Sequence, residues 1–106
     1  MEAVWSRFLP IYSLLMKKLQ EGAIGKVFSV HANFGVKISE IDRIKRKDLG
    51  GGAIVDLCIY AINVVQMVFN DDVPLEIKAV GFINENGNDN LAYNKQMVQF
   101  LNSNLF

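Results

Sequence analysis

The residues best suited to chemistry in this chain are Asp56 and Tyr60, one helical turn apart in the run GGGAIVDLCIYAINVVQMVF at positions 50–69. A phenol one turn from a carboxylate can donate or accept a proton at a substrate oxygen while the carboxylate orients and tunes it. The same spacing also suits a structural Tyr–Asp hydrogen bond in a core, and the residues alone weigh the two readings evenly. Asp56, Tyr60 and Asn63 fall on one narrow stripe of a helical wheel. Leu57, Ile59, Ala61, Ile62, Val64, Val65, Val68 and Phe69 cover nearly all the rest. A helix so apolar should be buried on almost every side, and a buried carboxylate needs a partner. No cation adjoins Asp56 in sequence. Its partner is therefore expected elsewhere in space, or on protein outside this chain.

Other candidates are weaker. Gly50, Gly51 and Gly52 precede the helix and could turn bare N–H groups and the positive end of its dipole toward an anion. They lack the Lys-Ser/Thr of a P-loop and the spacing of a dinucleotide fingerprint. A loop needing positive φ or close packing is the favoured reading. Cys58 lies across the wheel from Asp56 and Tyr60 and reads as a small buried hydrophobe. One histidine, His31, and one cysteine do not make a zinc site, so no metal is expected. His31 reads as a surface or edge-strand residue. The basic run of Arg43, Lys45, Arg46 and Lys47 is flanked by Glu40, Asp42 and Asp48, which favours a solvated loop over a nucleic-acid patch.

These residues must be positioned by a small fold. The chain has 106 residues, 51% of them hydrophobic and 10% aromatic, with a mean hydropathy of +0.20. This suits one domain or part of one, with apolar surface meant to be covered by something else. Eleven basic residues balance eleven acidic ones, which argues against nucleic acid or an anionic membrane as partner. A lone cysteine fits a reducing, cytoplasmic setting. The start MEAVWSRF has neither the basic nor the apolar region of a signal peptide. Residues 53–69 are the best transmembrane candidate, but Asp56, Asn63 and Gln66 make a buried core helix the better reading.

In order, residues 1–8 read as a short strand. Pro10 opens a helix carrying Ile11, Leu14, Leu15 and Leu19, which Gly22 stops. Residues 26–35 alternate with period two, placing Phe28, Val30, Ala32 and Phe34 on one face. A polar connection over 36–49 leads to the 50–69 helix, which Asn70, Asp71, Asp72 and Pro74 end. Residues 75–83 read as a second long strand, 84–90 as a turn, and 91–101 as a third strand antiparallel to the second. Helices beside a mostly antiparallel sheet make an α+β layer.

The succession MEAVWSRFLP, LQEGAIGKV, ANFG and GGGAIVDLCIY resembles the Gfo/Idh/MocA family of nicotinamide-dependent oxidoreductases. The resemblance implies an N-terminal Rossmann domain that this chain lacks, with residues 1–9 as its last strand. Residues 10–106 would then be the N-terminal portion of the α+β substrate domain, cut short, whose open and mostly antiparallel sheet carries helices on one face. It implies hydride transfer between NADP and a dihydrodiol or a D-xylose-like sugar. Tyr60 would be the acid/base, with Asp56 near both cofactor and substrate. Trp5 and Phe34 match aromatic positions at the substrate pocket, and Ile59 could shape its wall. Neither the glycine fingerprint nor the family's Glu-Lys-Pro motif occurs, and Cys58 stands where the family has glycine. The chain alone is therefore expected to bind no nicotinamide cofactor and to be inactive. It would associate into a homodimer or aggregate through its exposed sheet. The competing class is a non-catalytic domain used only for binding or dimerisation.

Overall fold

The computed structural model of the chain describes residues 3–38, 40–74, 76–78, 83 and 98–101. The central element is a helix built in two pieces. A π-helical turn over Ile54–Cys58 runs into α3, Ile59–Val68. This segment is rich in β-branched residues, whose helix propensity is modest, so burial rather than propensity holds it. Val65 is fully enclosed, and Ala53, Cys58, Ala61, Met67 and Phe69 join it in the core. Enclosing a valine completely contributes about 1.5–3 kcal/mol.

Burial is not all-round, however. Ile54 and Val55 at the start of the helix are exposed. The helix ends in a left-handed reversal, with Asn70 at φ 55° and Asp71 at φ 59°. Their amides return to the carbonyls of Met67 and Gln66. The expected stop is thus made by residue types that tolerate this conformation. Lys47–Val68 is long and apolar enough to cross a membrane by length and composition alone. It contains a left-handed glycine, Gly50, and a paired carboxylate, Asp56, and α3 packs on protein.

Strand β1, Ser29–Ala32, pairs antiparallel with β2, Val98–Leu101, with Ser29 opposite Leu101 and Ala32 opposite Val98. The strand expected over 26–35 is confined to β1, and the alternation holds only there: Val30 and Ala32 are half-buried and Ser29 and His31 exposed, whereas Phe28 and Phe34, expected on the packed face, are exposed. Both strands pack against α3. Of the strand expected over 75–83, residues 76–78 are irregular and Ile83 forms an isolated bridge. Its other positions, the 84–90 turn and the start of the 91–101 strand lie outside the described residues.

Helix α1, Pro10–Gln20, begins at the proline as expected. Its inward side, however, is Tyr12, Met16 and Leu19 rather than the set Ile11, Leu14, Leu15 and Leu19. Ile11 and Leu14 face outward, 62% and 50% exposed. Spacings of four and three select the inward residues from among several apolar ones. The strand expected at 1–8 is also different, because Trp5–Phe8 forms a 3₁₀ turn. Local bonds from the Arg7 amide to the Val4 carbonyl and from the Leu9 amide to the Ser6 carbonyl meet needs that a strand would satisfy with a neighbour. Arg7 Nη2 holds both carboxylate oxygens of Asp71, at 2.5 and 2.6 Å, and so ties this turn to the far end of α3.

Candidate functional site

The connection over 36–49 contains the short helix α2, Asp42–Lys45, and a 3₁₀ turn at Lys47–Leu49. It folds back onto the triple glycine. Gly50 is left-handed at φ 74°. A Cβ on Gly51 would come within 2.5 Å of the Arg43 and Ile44 carbonyl oxygens and 2.6 Å of that of Arg46. The Gly51 amide donates to the Arg46 carbonyl at 2.9 Å. The glycines therefore allow positive φ and close backbone approach. Carbonyl oxygens fill the space beside them and would repel a phosphate, so the glycine run does not fit a pyrophosphate seat.

That close approach decides the partner of Asp56. Arg43, thirteen residues earlier, donates from Nη1 to Asp56 Oδ1 at 2.5 Å. The carboxylate side chain is 21% exposed and the guanidinium more than half so. The hydrogen bond, reinforced by the opposite charge, raises the proton affinity of Arg43 above that of an ordinary arginine. The cation expected at a distance thus comes from the basic run itself. In that run Lys45 also reaches Glu40 at 2.9 Å, and Arg46 grips Asp48.

Tyr60 lies one turn along, within an aromatic cluster. Trp5 Nε1 donates to its Oη at 3.2 Å, and the two rings meet edge to face with centroids 6.3 Å apart. Phe34 meets Tyr60 edge to face at 5.6 Å. Such pairs contribute about 0.5–1.5 kcal/mol each beyond area burial and fix ring orientation. Trp5, Phe34, Tyr60, Asp56 and Arg43 line one cleft of about 760 Å³. This volume suits a small organic molecule.

Sequence reasoning therefore named four of the residues that meet here. Ile59 is not among the cleft residues, although its neighbour Tyr60 is. Asn63 leaves the Asp56–Tyr60 stripe; it is buried, with Nδ2 against Met67 Sδ at 3.6 Å. The cleft face of the helix is instead Asp56, Leu57, Tyr60, Ala61 and Val64. A π turn changes the residues per turn just before α3 and shifts this phase, as such turns often do at functional sites. His31 is exposed and also lines the cleft. Cys58 is buried away from it.

Among the cleft residues missed are the polar side chains Tyr12, Asn33, Arg43 and Ser6. Arg43 was hidden in a run that reads as solvated, and its only signal was the glycine triplet that lets the run approach. Ser6 carried no signal at all. It is 6% exposed, and its hydroxyl has no hydrogen-bond partner. Leaving such a group unsatisfied costs about 1–3 kcal/mol.

The domain description GFO/IDH/MocA C-terminal domain matches residues 12–98. The chain is 45% identical over 89 residues to the trans-1,2-dihydrobenzene-1,2-diol dehydrogenase of Xenopus tropicalis, 84% of this chain and 27% of that protein. Over the same shares it is 43% identical to the Danio rerio protein of that name and 40% to the Mus musculus one. It thus spans about a quarter of the length of the curated relatives it matches. No solved structure matches.

Proposed function

Because this chain belongs to the GFO/IDH/MocA C-terminal domain family, we propose that it forms the substrate-facing part of a nicotinamide-dependent oxidoreductase acting on a dihydrodiol or a D-xylose-like sugar. The observation that carries this reading is the convergence of Tyr60, Trp5, Phe34 and Asp56 on one cleft. The aromatic edges would hold a six-membered ring. Tyr60 Oη would move the proton: it gives it to the carbonyl oxygen in reduction and takes it from the alcohol in oxidation. Trp5, donating to that same Oη, orients the phenol. Asp56, fixed by Arg43, sets the charge beside it.

NADP, when bound, supplies or accepts the hydride. In this reading the cofactor is held on a separate domain, with Asp56 facing its edge. In the same reading β1 and β2 belong to a larger open, mostly antiparallel sheet with helices on one face. Residues 1–9 then link to the cofactor domain, and the protein works in the cytoplasm.

The test joins the chain to a nicotinamide-binding domain from a dihydrodiol dehydrogenase relative. Tyr60→Phe should leave NADPH affinity nearly unchanged and lower kcat by about 10²–10⁴-fold, the usual worth of general acid–base catalysis. If the folded variant keeps most of its activity, the tyrosine is only a packing residue. A second reading, a non-catalytic dimerisation module, is favoured by the apolar side chains left open on the surface. A joined protein with no turnover but tight self-association would select it.

A further inference from the structure

We infer that Arg7, acting through Asp71, is a positioning residue for Tyr60, because it fixes the turn whose Trp5 indole is bonded to the phenol. This rests on the proposed reading of Tyr60 as the residue that moves the proton. Two side chains of the Trp5–Phe8 turn bond to the α3 region, one near each end of the helix. Trp5 Nε1 donates to Oη of Tyr60, the second residue of α3, at 3.2 Å. Arg7 Nη2 donates to both carboxylate oxygens of Asp71, just past the other end, at 2.5 and 2.6 Å.

The contact at Trp5 needs such support. Trp5 is 61% exposed, so packing alone does not fix its ring, and water competes for its N–H. At 3.2 Å its bond to the phenol oxygen lies at the long end of the ordinary range. Arg7 sits two residues on in the same 3₁₀ turn, which local bonds hold as a unit. The Trp5 amide donates to the Ala3 carbonyl at 2.8 Å, and the Arg7 amide to that of Val4 at 3.2 Å. Asp71 is a fixed acceptor, because its left-handed backbone closes the reversal after α3 and its amide donates to the Gln66 carbonyl at 2.7 Å. The ion pair thus joins two firm pieces and sets how the turn lies on the helix. With side chains 39% and 57% exposed, the pair adds little to overall stability. Shifting a long, solvent-contested hydrogen bond between bonded and free requires no more than that.

Trp5 is the sole tryptophan of the chain, so the indole band of the ultraviolet resonance Raman spectrum that moves with hydrogen bonding at Nε1 reports this one contact. It is read in the full 106-residue chain. Tyr60→Phe removes the acceptor and marks the unbonded position of the band. Arg7→Gln and Asp71→Asn should each move it toward that position, the bonded-to-free ratio falling about two- to fivefold, the worth of an exposed ion pair. Asparagine tolerates the left-handed backbone, so Asp71→Asn leaves the reversal in place, and both variants should melt close to the wild type. Because the two residues act as one pair, the double variant should move the band no further than either single one. A band that stays at the wild-type position in the single variants, or shifts that simply add, overturns the inference. The Tyr60 reading has its own arm, in the chain joined to a nicotinamide-binding domain. Arg7→Gln should lower kcat by up to about fivefold and change nothing more once Tyr60→Phe is present. An equal loss in both backgrounds also overturns the inference, whereas full activity in Tyr60→Phe alone refutes the reading of the tyrosine and not the hold of Arg7 on Trp5.

Discussion

Asp56 shows how one contact sets the character of a site. A carboxylate on an apolar helix is costly to dehydrate, and Arg43 offsets that cost from a side chain that remains more than half exposed. Solvent therefore screens the pair. A double-mutant cycle with Arg43→Gln and Asp56→Asn, read by thermal melting, should give a favourable coupling at low salt. That coupling should fade as salt approaches about 1 M, where the screening length falls to about 3 Å. A coupling insensitive to salt would mean that the pair is desolvated and the cleft drier than its exposure indicates. Tyr60 is held differently, by edges of Trp5 and Phe34 and by one indole N–H, so salt should leave it in place.

At the scale of elements, the 36–49 connection and the glycine triplet act as one unit that brings Arg43 to the cleft. Gly51 is the position that allows it. Added Cβ atoms would meet three backbone carbonyls, which cannot swing aside as a side chain could. Gly51→Ala should cost about 1–3 kcal/mol by overpacking and release Arg43 from Asp56. Gly50→Ala meets no atom and should pay only for its left-handed backbone, about 1–2 kcal/mol. Melting of the two variants, with and without Asp56→Asn, separates the effects. Only Gly51→Ala should make the Asp56 change nearly silent.

The same connection also carries a local acid sensitivity. Arg46 donates from Nε to Asp48 Oδ1 at 3.0 Å and from Nη2 to Oδ2, which holds the Asp48 carboxyl below its ordinary value of 3.8. A depressed folded pKa stabilises above the unfolded value, and that contribution is lost as pH falls through the folded one. Backbone amide shifts of residues 46–50 should therefore move at a lower pH than an unperturbed aspartate would dictate. Asp48→Asn should abolish the transition.

The whole molecule is short of cover. Phe8 is 87% exposed and Val73 88%, and Ile11, Leu14, Ile54 and Val55 also face outward. Scattered apolar residues are normal on a surface, but so many large ones on a 106-residue chain favour association. Sedimentation at several concentrations should show a mean mass that rises with concentration. A monodisperse monomer with a cooperative melt would show instead that the α3 core suffices alone.

Several features were legible in the residues themselves because their causes are local. Pro10 starts α1, period-two alternation places Val30 and Ala32 inward, and Asn70 and Asp71 stop α3. Each depends on one residue's backbone preference or on a short repeat, and the Asp56–Tyr60 spacing on one turn of helix. The tertiary structure alone decided which face of α1 turns inward, that Trp5–Phe8 coils rather than extends, and that the π turn leaves Asn63 off the cleft. It also decided that Arg43 is the cation of Asp56 and that Ser6 is left without a partner. Those outcomes depend on which groups fold into contact across long stretches of chain. A side chain's pairing is settled by the free energy of the assembled whole, which no spacing of residues records.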